Sequence, residues 1–469
     1  MFRRPALRTL LIEAAVIVVG IATAVTIIYL ETRPKPVHVE RRLAGQEENV
    51  SQNGRVQYAP AVAIDPTRPG ILLGGSSDSL FDTRVYTSSD GGRSWRSKPG
   101  PPLLRGTCDI DTPAVAIAGG GREVYAFGAT QFCDLPEPKL HVAVRSGPSG
   151  RWRVRALLPV AGYAKDDHFA LASLGRRVWL AWSRRPQQLS RTLVGYLAVS
   201  NDGGTTWSQP RRLPVAQPYS LSLAASPSGG LYVAAADGDN NRVVVLRSPD
   251  GGKSFARARP LADLDTPFDE GCEGAFLPPQ SQFCLPPSVH VVVDEGGRVD
   301  VAWADVEANR TDGLRLAQLS PTLRVLLPPR RLGPADRAPS DQFDPSLAVD
   351  RSDGTLWACY MDTFGDPYRH EAWPTCTLSH DGGGRWAPPV RVALVGSDET
   401  QTAANQRGYG STALAAADGV AHVLWTDTRQ IFERSEEIYA ARVPERALRF
   451  TPRAGAFAPA EASRARSRA

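Results

Sequence analysis

The stretch Ser88-Ser89-Asp90-Gly91-Gly92-Arg93-Ser94-Trp95 contains the pattern that decides the fold of this chain. The same eight-residue pattern returns as Ser200–Trp207, Ser248–Phe255 and Ser379–Trp386. We call these four segments the octets. In such a turn the aspartate accepts hydrogen bonds from backbone N–H groups, the glycines supply positive φ, and the closing aromatic residue packs as an apolar plug. The sequence therefore predicts framework roles for Asp90, Asp202, Asp250 and Asp381.

Apolar strand pairs precede the octets and extend the repeat to most of the chain. A worn copy of the octet, Ser146–Trp152, keeps only its end residues, and the doubled spacing before the last octet predicts a decayed copy near Ser320-Pro321. Seven first strands can be recognised: Pro60–Asp65, Pro113–Ile117, Phe169–Leu174, Leu221–Ala225, Val289–Asp294, Pro345–Asp350 and Ser411–Ala416. Seven units of about 50–65 residues, without helical periodicity, predict an all-β propeller of four-stranded blades.

The octets resemble the Asp-box, or bacterial neuraminidase repeat, of the sialidase-like superfamily. The resemblance covers most of residues 58–450 and implies that each octet joins the third and fourth strands of a blade on the bottom face. Sialidases of this type have six blades, so six is the alternative to seven. Because ring closure in propellers often borrows a terminal strand, we expect Val37–Leu43 to complete the last blade beside Ala447–Pro452.

Charge and composition exclude one class of partner. The chain has 469 residues and a net charge of +5, from 54 Lys+Arg and 49 Asp+Glu. The surplus lies in residues 1–13 and 453–469, so the body between them is neutral. A nucleic-acid-binding body needs a basic face, and we therefore expect no nucleic-acid partner. Five Lys against 49 Arg is typical of a GC-rich bacterial gene.

The N-terminal segment predicts a membrane partner. Residues 9–30 are apolar except for Glu13 and are long enough to cross a bilayer. Arginines in residues 1–8 place that end in the cytoplasm and the body outside the cell. A cleaved signal peptide ending near Ala22-Thr23-Ala24 is the alternative. The predicted organisation is a cytoplasmic N-terminus 1–8, a transmembrane signal anchor 9–30, a linker 31–37, a propeller 38–452 and a disordered tail 453–469.

The six cysteines agree with an extracellular address. They form three pairs of sequence neighbours: Cys108 and Cys133, Cys272 and Cys284, Cys359 and Cys376. No C-x-x-C motif is present and His is rare, so a zinc site of the usual spacing is not expected. Three disulfides in an oxidising compartment are the simpler interpretation, with neighbour pairing as the default among the alternatives.

Aspartates recur where the second strands are predicted to end, at the mouth of a central funnel on the top face. They are Asp78, Asp237, Asp305, Asp362 and Asp427. Recurrence favours a framework role. The third unit departs from this pattern with Arg184 and Arg185, which we predict as ligand-binding residues because a functional residue should be specific to one blade. Two solvated surface arginines are the alternative.

A second group of polar residues lies at the predicted starts of the first strands. It comprises Asp109, Asp111, Asp166, Asp167, His168, Asp269, Glu270, Glu273, Asp341 and Asp344. Such carboxylates can cap strand entries, hold Ca²⁺ through oxygen ligands, or act as general acid and base. Asp166 and Glu273 are the catalytic candidates. Asp167, His168, Asp341 and Asp344 are ligand-binding candidates, and Ca²⁺ is the one cofactor considered.

The resemblance adds two catalytic candidates. Sialidases place a tyrosine nucleophile at the start of a late inner strand, and Tyr409-Gly410-Ser411, preceded by Arg407, is loosely similar. A phenol activated by a carboxylate suits attack on an anomeric centre that carries a carboxylate. The arginine motif that sialidases have before the first repeat is absent, since the matching stretch is Gly54–Pro60.

Two functions follow from these observations. The first is a membrane-anchored extracytoplasmic propeller that binds a carbohydrate or an envelope protein as a scaffold module. The second is a glycoside hydrolase of exo-sialidase type with its site in the top-face funnel. A calcium-stabilised structural propeller is a third interpretation. An enzyme requires Arg184, Arg407, Tyr409 and an acid to converge on one point, and a scaffold does not.

Overall fold

The computed structural model describes residues 46–78, 82–102, 108–110, 113–130, 140–156, 165–185, 192–265, 275–276, 284–285, 288–306, 312–332, 340–398, 411–429 and 435–448. Within these residues the protein is all-β, apart from one 3-10 turn at Glu445–Ala447. No helix in the described part is long and apolar enough to cross a membrane, and the predicted anchor 9–30 lies outside it. The disordered tail predicted for 453–469 also lies outside the described residues.

Seven four-stranded antiparallel sheets make up the fold, and each is one blade. Blade 1 consists of the strands Gln57–Asp65, Arg68–Asp78, Asp82–Ser88 and Arg96–Pro99. Blade 2 consists of Ala114–Ala118, Arg122–Phe127, His141–Ser146 and Arg153–Ala156. Blade 3 consists of Lys165–Leu174, Arg177–Arg185, Val194–Ser200 and Arg211–Ala216. Blades 4 and 5 are Pro218–Ala225, Leu231–Asp237, Arg242–Ser248, Arg259–Asp263; and Val289–Val293, Val299–Val306, Asp312–Leu319, Val325–Arg331.

Blades 6 and 7 complete the ring. Blade 6 is Gln342–Val349, Leu356–Asp362, Glu371–Ser379 and Val390–Arg391, with the short strand Ser397–Asp398 also paired to its third strand. Blade 7 is Thr412–Ala417, Val420–Asp427, Glu437–Pro444 and, as its fourth strand, Glu47–Asn49. Two small strand pairs lie outside the blades: Cys108–Ile110 with Ala129–Thr130, and Ala275–Phe276 with Cys284–Leu285.

The first strands of successive blades contact each other in a closed ring around the axis. The prediction of seven blades is therefore confirmed, and the six-blade alternative is wrong. Blade 5 is a complete four-stranded sheet although its octet has decayed. The second strands, such as Leu231–Asp237 and Leu356–Asp362, are buried along their whole length. Both of their faces are covered, so they read as continuous runs of small and apolar residues rather than as alternating patterns.

Ring closure uses a terminal strand, as the sequence predicted, but not the predicted residues. Glu47–Asn49 pairs with the third strand of blade 7, Glu437–Pro444, with Asn49 opposite Tyr439. The predicted Val37–Leu43 lies outside the described residues. The guanidinium of Arg429 holds the closing strand, since it binds both carboxylate oxygens of Glu47 at 2.8 and 3.1 Å.

Seven clusters of the core lie one at each seam between neighbouring blades, and an eighth, Phe343, Met361 and Ala372, lies within blade 6. The cluster between blades 7 and 1, for example, joins Tyr86 of blade 1 to Leu424 and Ile438 of blade 7. The closing aromatic residues of the octets pack into these clusters. Trp95 lies in the seam between blades 7 and 1, and Phe255 lies in the seam between blades 3 and 4. The predicted role of these aromatics as plugs between sheets is confirmed.

The octets form the turns between third and fourth strands, as expected. In the third octet, Asp250 Oδ1 accepts hydrogen bonds from the backbone N–H groups of Lys253 and Ser254 at 3.0 and 2.9 Å. The Ser254 hydroxyl donates to Asp250 Oδ2 at 2.6 Å and is the main cause of the lowered pKa of this carboxylate. The Ser248 hydroxyl accepts from Gly252 N–H at 2.7 Å. The decayed copy keeps this last contact, since Arg324 N–H donates to the Ser320 hydroxyl at 3.0 Å.

The second glycine of each octet lies against the preceding blade. A Cβ on Gly252 of blade 4 would meet Leu197 Cδ2 of blade 3 at 2.8 Å, and one on Gly204 of blade 3 would meet Val144 of blade 2 at 2.9 Å. Both glycines also have positive φ, of 96° and 85°. These positions therefore require glycine for two reasons, backbone conformation and close packing.

One disulfide is present in the described part of the chain. Cys359 and Cys376 face each other across the second and third strands of blade 6, with Cα atoms 4.1 Å apart. This confirms one of the three predicted pairs. The other two predicted pairs include Cys133 and Cys272, which lie outside the described residues.

The octet geometry predicts the effect of one substitution. We expect Gly252→Ala to lower the free energy of unfolding by at least about 2 kcal/mol, because a left-handed backbone cost adds to overpacking against blade 3. Gly229→Ala is the matched control, since Gly229 has φ +87° and no atom within 4 Å of its added Cβ. It should cost only about 1 kcal/mol. Urea denaturation of both variants measures the difference, and equal midpoints would show that packing at the seam contributes nothing.

Candidate functional site

The top face, where the second strands end, carries a repeated backbone irregularity. The first strands of blades 1, 3 and 6 each change register with their partners through a β-bulge. In each bulge a residue other than glycine has positive φ: Ala59 at 54°, His168 at 54° and Asp344 at 49°. Such conformations are sparsely populated and are concentrated at barrel rims and near functional sites. The bulges therefore indicate that this rim is a candidate functional site.

The aspartates predicted at the ends of the second strands are engaged in local hydrogen bonds. Asp78 accepts from the Gln57 amide and the Arg84 guanidinium, both at 2.9 Å. Asp427 accepts from Arg429 Nε at 2.8 Å. The other three accept from neighbouring backbone or amide groups at 2.8 to 3.0 Å; they are Asp237, Asp305 and Asp362. Their geometry supports the framework role.

Blade 3 differs from the five blades with a strand-terminal aspartate, because its second strand carries Arg184 at that position. In blade 6 the pair two positions before the bulge is Gln342 opposite Asp362, whereas the equivalent pair in blade 3 is Asp166 opposite Arg184. Arg184 is only 4% exposed, so it is not the solvated surface arginine of the alternative interpretation. Its neighbour Arg185 is half-buried. The backbone register places Asp166 opposite Arg184 at the rim.

The first strands bind one another through side chains, because each has an edge without a strand partner. The Ser220 and Ser222 hydroxyls of blade 4 accept from Val289 and Val291 N–H of blade 5, at 3.1 and 3.0 Å. His290 Nδ1 of blade 5 accepts from Leu347 N–H of blade 6 at 3.2 Å. These contacts satisfy backbone donors along the central channel and hold successive blades in register.

Asp344 continues this arrangement and joins three blades. Its Oδ2 accepts from Thr412 N–H of blade 7 at 2.6 Å, and its Oδ1 accepts from the Ser288 hydroxyl of blade 5 at 2.9 Å. Burial among the packed first strands raises the pKa of Asp344 to about 6, although the side chain keeps some exposure to solvent. A carboxyl group with such a pKa exists in both protonation states near neutral pH, which suits proton transfer.

His290 differs from Asp344 in its state of charge. Burial lowers the pKa of His290 to about 4. The ring is therefore neutral at pH 7, and its Nδ1 serves as the acceptor for Leu347 N–H. We assign it a structural role in the channel wall.

Blade 6 has a second polar group at the rim. Asp341 is fully buried and forms an ion pair with Arg369, whose Nη1 lies 2.9 Å from Asp341 Oδ1. Arg369 belongs to the loop between the second and third strands, at positive φ of 57°. The adjacent Tyr368 is 44% exposed, and its ring contacts that of His370 with centroids 6.1 Å apart. We call Asp341, Asp344, Tyr368 and Arg369 the blade 6 rim.

A single carboxylate orders the loop that carries this tyrosine. Asp366 Oδ1 accepts from Tyr368 N–H at 2.9 Å, and Asp366 Oδ2 accepts from the N–H groups of His370 and Glu371 at 2.6 and 2.9 Å. Sequence reasoning missed Tyr368. The signal for it was present, since an aromatic residue beside Arg369 and His370 follows a recurrent strand-terminal aspartate.

Several predicted site residues lie outside the described part. They are Arg407, Tyr409, Glu273, Asp269, Glu270 and Asp111. For Asp109, Asp166 and Asp167 only the backbone is described. His168 is placed at the blade 3 bulge, as given above. Among the described residues no three His, Cys, Asp or Glu side chains come together as a metal site. The calcium and nucleophile hypotheses stay predictions.

Comparisons with known proteins give similarity of fold only. No family model and no curated protein matches the chain. Similar solved structures include a Dyadobacter fermentans protein of unknown function, with 12% identity, 86% of this chain and 98% of that chain covered, and a TM-score of 0.49. They also include the Hadza microbial sialidase Hz136, with 13% identity, 84% of this chain and 66% of that chain covered, and a TM-score of 0.45. A third is the GH93 α-L-arabinofuranosidase of Fusarium graminearum, with 11% identity, 87% of this chain and 99% of that chain covered, and a TM-score of 0.47. Similarities this weak carry no conclusion about activity.

The burial of Asp344 predicts a pH-dependent contribution to stability. The folded pKa of about 6 exceeds the usual 3.8, so the folded state binds this proton more tightly than the unfolded chain. The contribution is fully present below pH 4 and is lost as the pH rises through 6. The side chain of Asn does not titrate. We therefore expect the free energy of unfolding of Asp344→Asn to increase, relative to that of wild type, by on the order of 1–2 kcal/mol when the pH is raised from 4 to 7.5.

Urea denaturation at both pH values measures this change. Asp353→Asn, at an exposed aspartate of the same blade, is the control and should show no such change. A difference between Asp344→Asn and wild type that is the same at both pH values would contradict the raised pKa.

Proposed function

We propose that the protein binds carbohydrate at the blade 6 rim on its top face. The observation that carries this proposal is the combination of the exposed ring of Tyr368 with the adjacent Arg369–Asp341 ion pair. Among the described residues Tyr368 is the one large aromatic side chain that is well exposed. An exposed aromatic face beside fixed polar groups is an arrangement that can pack on a sugar ring and bind its hydroxyls.

The rim is ordered before any ligand arrives. Arg369 is held by a fully buried carboxylate, and the Tyr368 backbone is held by Asp366. Preorganised groups lose little conformational entropy on binding, which favours recognition by a shallow rim. Most described carboxylates on this face already have hydrogen-bond partners within the framework. This favours a binding or scaffold module over an enzyme.

A glycoside hydrolase is the second candidate, and one observation supports it. Asp344, at the entry of a first strand, has a pKa of about 6 and is able to serve as a general acid. The sialidase version further requires Arg407 and Tyr409 to lie within reach of that acid. The resemblance of the octets to the Asp-box also belongs to this proposal rather than to the established fold.

We further propose that residues 9–30 anchor the protein in the cell membrane, with the propeller outside the cell, where a carbohydrate or protein of the envelope would be its partner. The apolar length of this segment and the arginines before it support the proposal. Alkaline carbonate extraction of cells should leave the full chain in the membrane pellet. Recovery of a shortened chain in the soluble fraction would instead indicate a cleaved signal peptide.

A glycan array probed with the full-length chain in neutral detergent tests the binding function. We expect Tyr368→Ala to weaken binding to the best glycan about tenfold, the loss typical of removing an aromatic anchor. Leu326→Ala is the control, because Leu326 is 54% exposed but lies on the outer strand of blade 5. Equal binding by both variants would exclude the blade 6 rim as the site.

Hydrolysis assays separate the two functions. The same full-length protein is offered a fluorogenic sialoside and a set of neutral glycosides. Binding without turnover supports the scaffold module. Turnover that is abolished by Asp344→Asn supports the hydrolase, and sialoside turnover abolished by Tyr409→Phe identifies its sialidase version.

A further inference from the structure

The seam between blades 7 and 1 contains an open groove on the bottom face, opposite the proposed carbohydrate site. The groove has a volume of about 460 Å³. Its charged lining consists of Arg93 from the first octet, Arg442, Arg446 and Glu445 from the end of the third strand of blade 7, and Asp418 from the turn before its second strand. We call this space the seam groove.

The seam groove exists because this seam differs from others. At four other seams a long side chain at the start of the preceding blade's second strand lies against the octet turn or its decayed copy: Arg122, Arg177, Tyr232 and Arg298. Arg122, for example, donates to the Thr205 hydroxyl at 2.9 Å. In blade 7 the corresponding strand begins at Val420, directly after Gly419, and the side chains of these two residues are too short to fill the space. Blade 7 also has no octet of its own, because its fourth strand is Glu47–Asn49.

The three arginines of the seam groove outnumber its two carboxylates, Asp418 and Glu445, and none of the three forms an ion pair among the described residues. Arg93 donates to a backbone carbonyl, that of Asp90, at 2.8 Å. No ion pair among the described residues involves Arg442 or Arg446, and Arg442 Nε is buried without a hydrogen-bond partner. One oxygen of the Glu445 carboxylate lies 3.3 Å from His380 Nε2. The groove therefore presents three guanidinium groups with unused donors.

Electrostatic coupling supports this description. Burial lowers the pKa of Arg442, and the charges of Arg93 and Arg446 lower it further. Mutual repulsion of this kind is relieved when an anion binds between the groups. Guanidinium groups donate in a planar fork that matches the oxygens of phosphate.

We propose that the seam groove binds a phosphate group through Arg93, Arg442 and Arg446. The groove can receive free phosphate or the phosphate of an anionic lipid headgroup, and both sources have the same chemistry. The chain enters the ring at Glu47, which begins the outer strand of blade 7 at the end of that strand nearer the bottom face. Binding here would orient the propeller independently of any ligand at the top face.

Thermal unfolding of the full-length chain in neutral detergent tests the proposal, because a ligand that binds the folded state raises the unfolding temperature, and the rise grows with the ratio of ligand concentration to Kd. The probes are inorganic phosphate and short-chain phosphatidylglycerol in mixed micelles, with phosphatidylcholine as the zwitterionic reference. We expect Arg442→Gln to raise about tenfold the probe concentration that gives the same rise in unfolding temperature, because the substitution removes one charge-assisted contact. Arg259→Gln, at an exposed arginine on the outer strand of blade 4, is the matched control.

The outcomes are distinct. Stabilisation by both probes that is lost in Arg442→Gln supports the site and shows that free phosphate is sufficient. Stabilisation by phosphatidylglycerol alone, lost in the same variant, supports the site and identifies the lipid headgroup as the source. Stabilisation by neither probe, or equal responses of Arg442→Gln and Arg259→Gln, overturns the proposal. Unfolding of Arg442→Gln without any probe should occur at or above the wild-type temperature, because the substitution removes repulsion.

Discussion

Burial of both faces of every blade is the constraint on which the rest of this structure depends. A four-stranded sheet cannot bury two apolar faces by itself, and here each face is covered by a neighbouring blade, so that seven seam clusters replace a single central core. The last seam forms only when Glu47–Asn49 joins blade 7. The ion pair between Arg429 and Glu47 therefore stabilises more than one strand, because opening that strand exposes the flank of the closing blade.

Close approach at the seams explains the residue types of the octets. The aspartate and serine satisfy the backbone of the turn, while the second glycine gives the preceding blade room to pack, as Gly252 does against Leu197. Blade 5 shows which part is dispensable. There Arg324 N–H still donates to the Ser320 hydroxyl, which contacts the Thr322 hydroxyl in place of an aspartate, and blade 5 still forms a full sheet. A seam thus tolerates loss of the aspartate when another side chain, here Tyr232 bound to the Pro321 carbonyl at 2.8 Å, fills the space.

The two faces of the ring differ in what they leave available. On the top face most carboxylates are hydrogen-bonded within the framework, while the aromatic ring of Tyr368 is exposed and the pKa of Asp344 is raised to about 6. On the bottom face a long side chain lies against the octet turn or its decayed copy at four seams, whereas the seam between blades 7 and 1 stays open with Arg442 unpaired. The seam groove therefore occurs where one blade departs from the repeat, which is where a repeated fold can acquire a specific property.

The sequence by itself determined the repeat and the position of the octets, and it favoured seven blades and the pairing of Cys359 with Cys376, because each depends on residues close together in the chain. It also identified the strand-terminal aspartates as framework. Only the tertiary structure decided which segment closes the ring, that Asp344 bridges three blades and so has a raised pKa, and that Arg93 and Arg442 share one groove. These properties depend on contacts between residues that are far apart in sequence and meet only after ring closure, so no local pattern could reveal them.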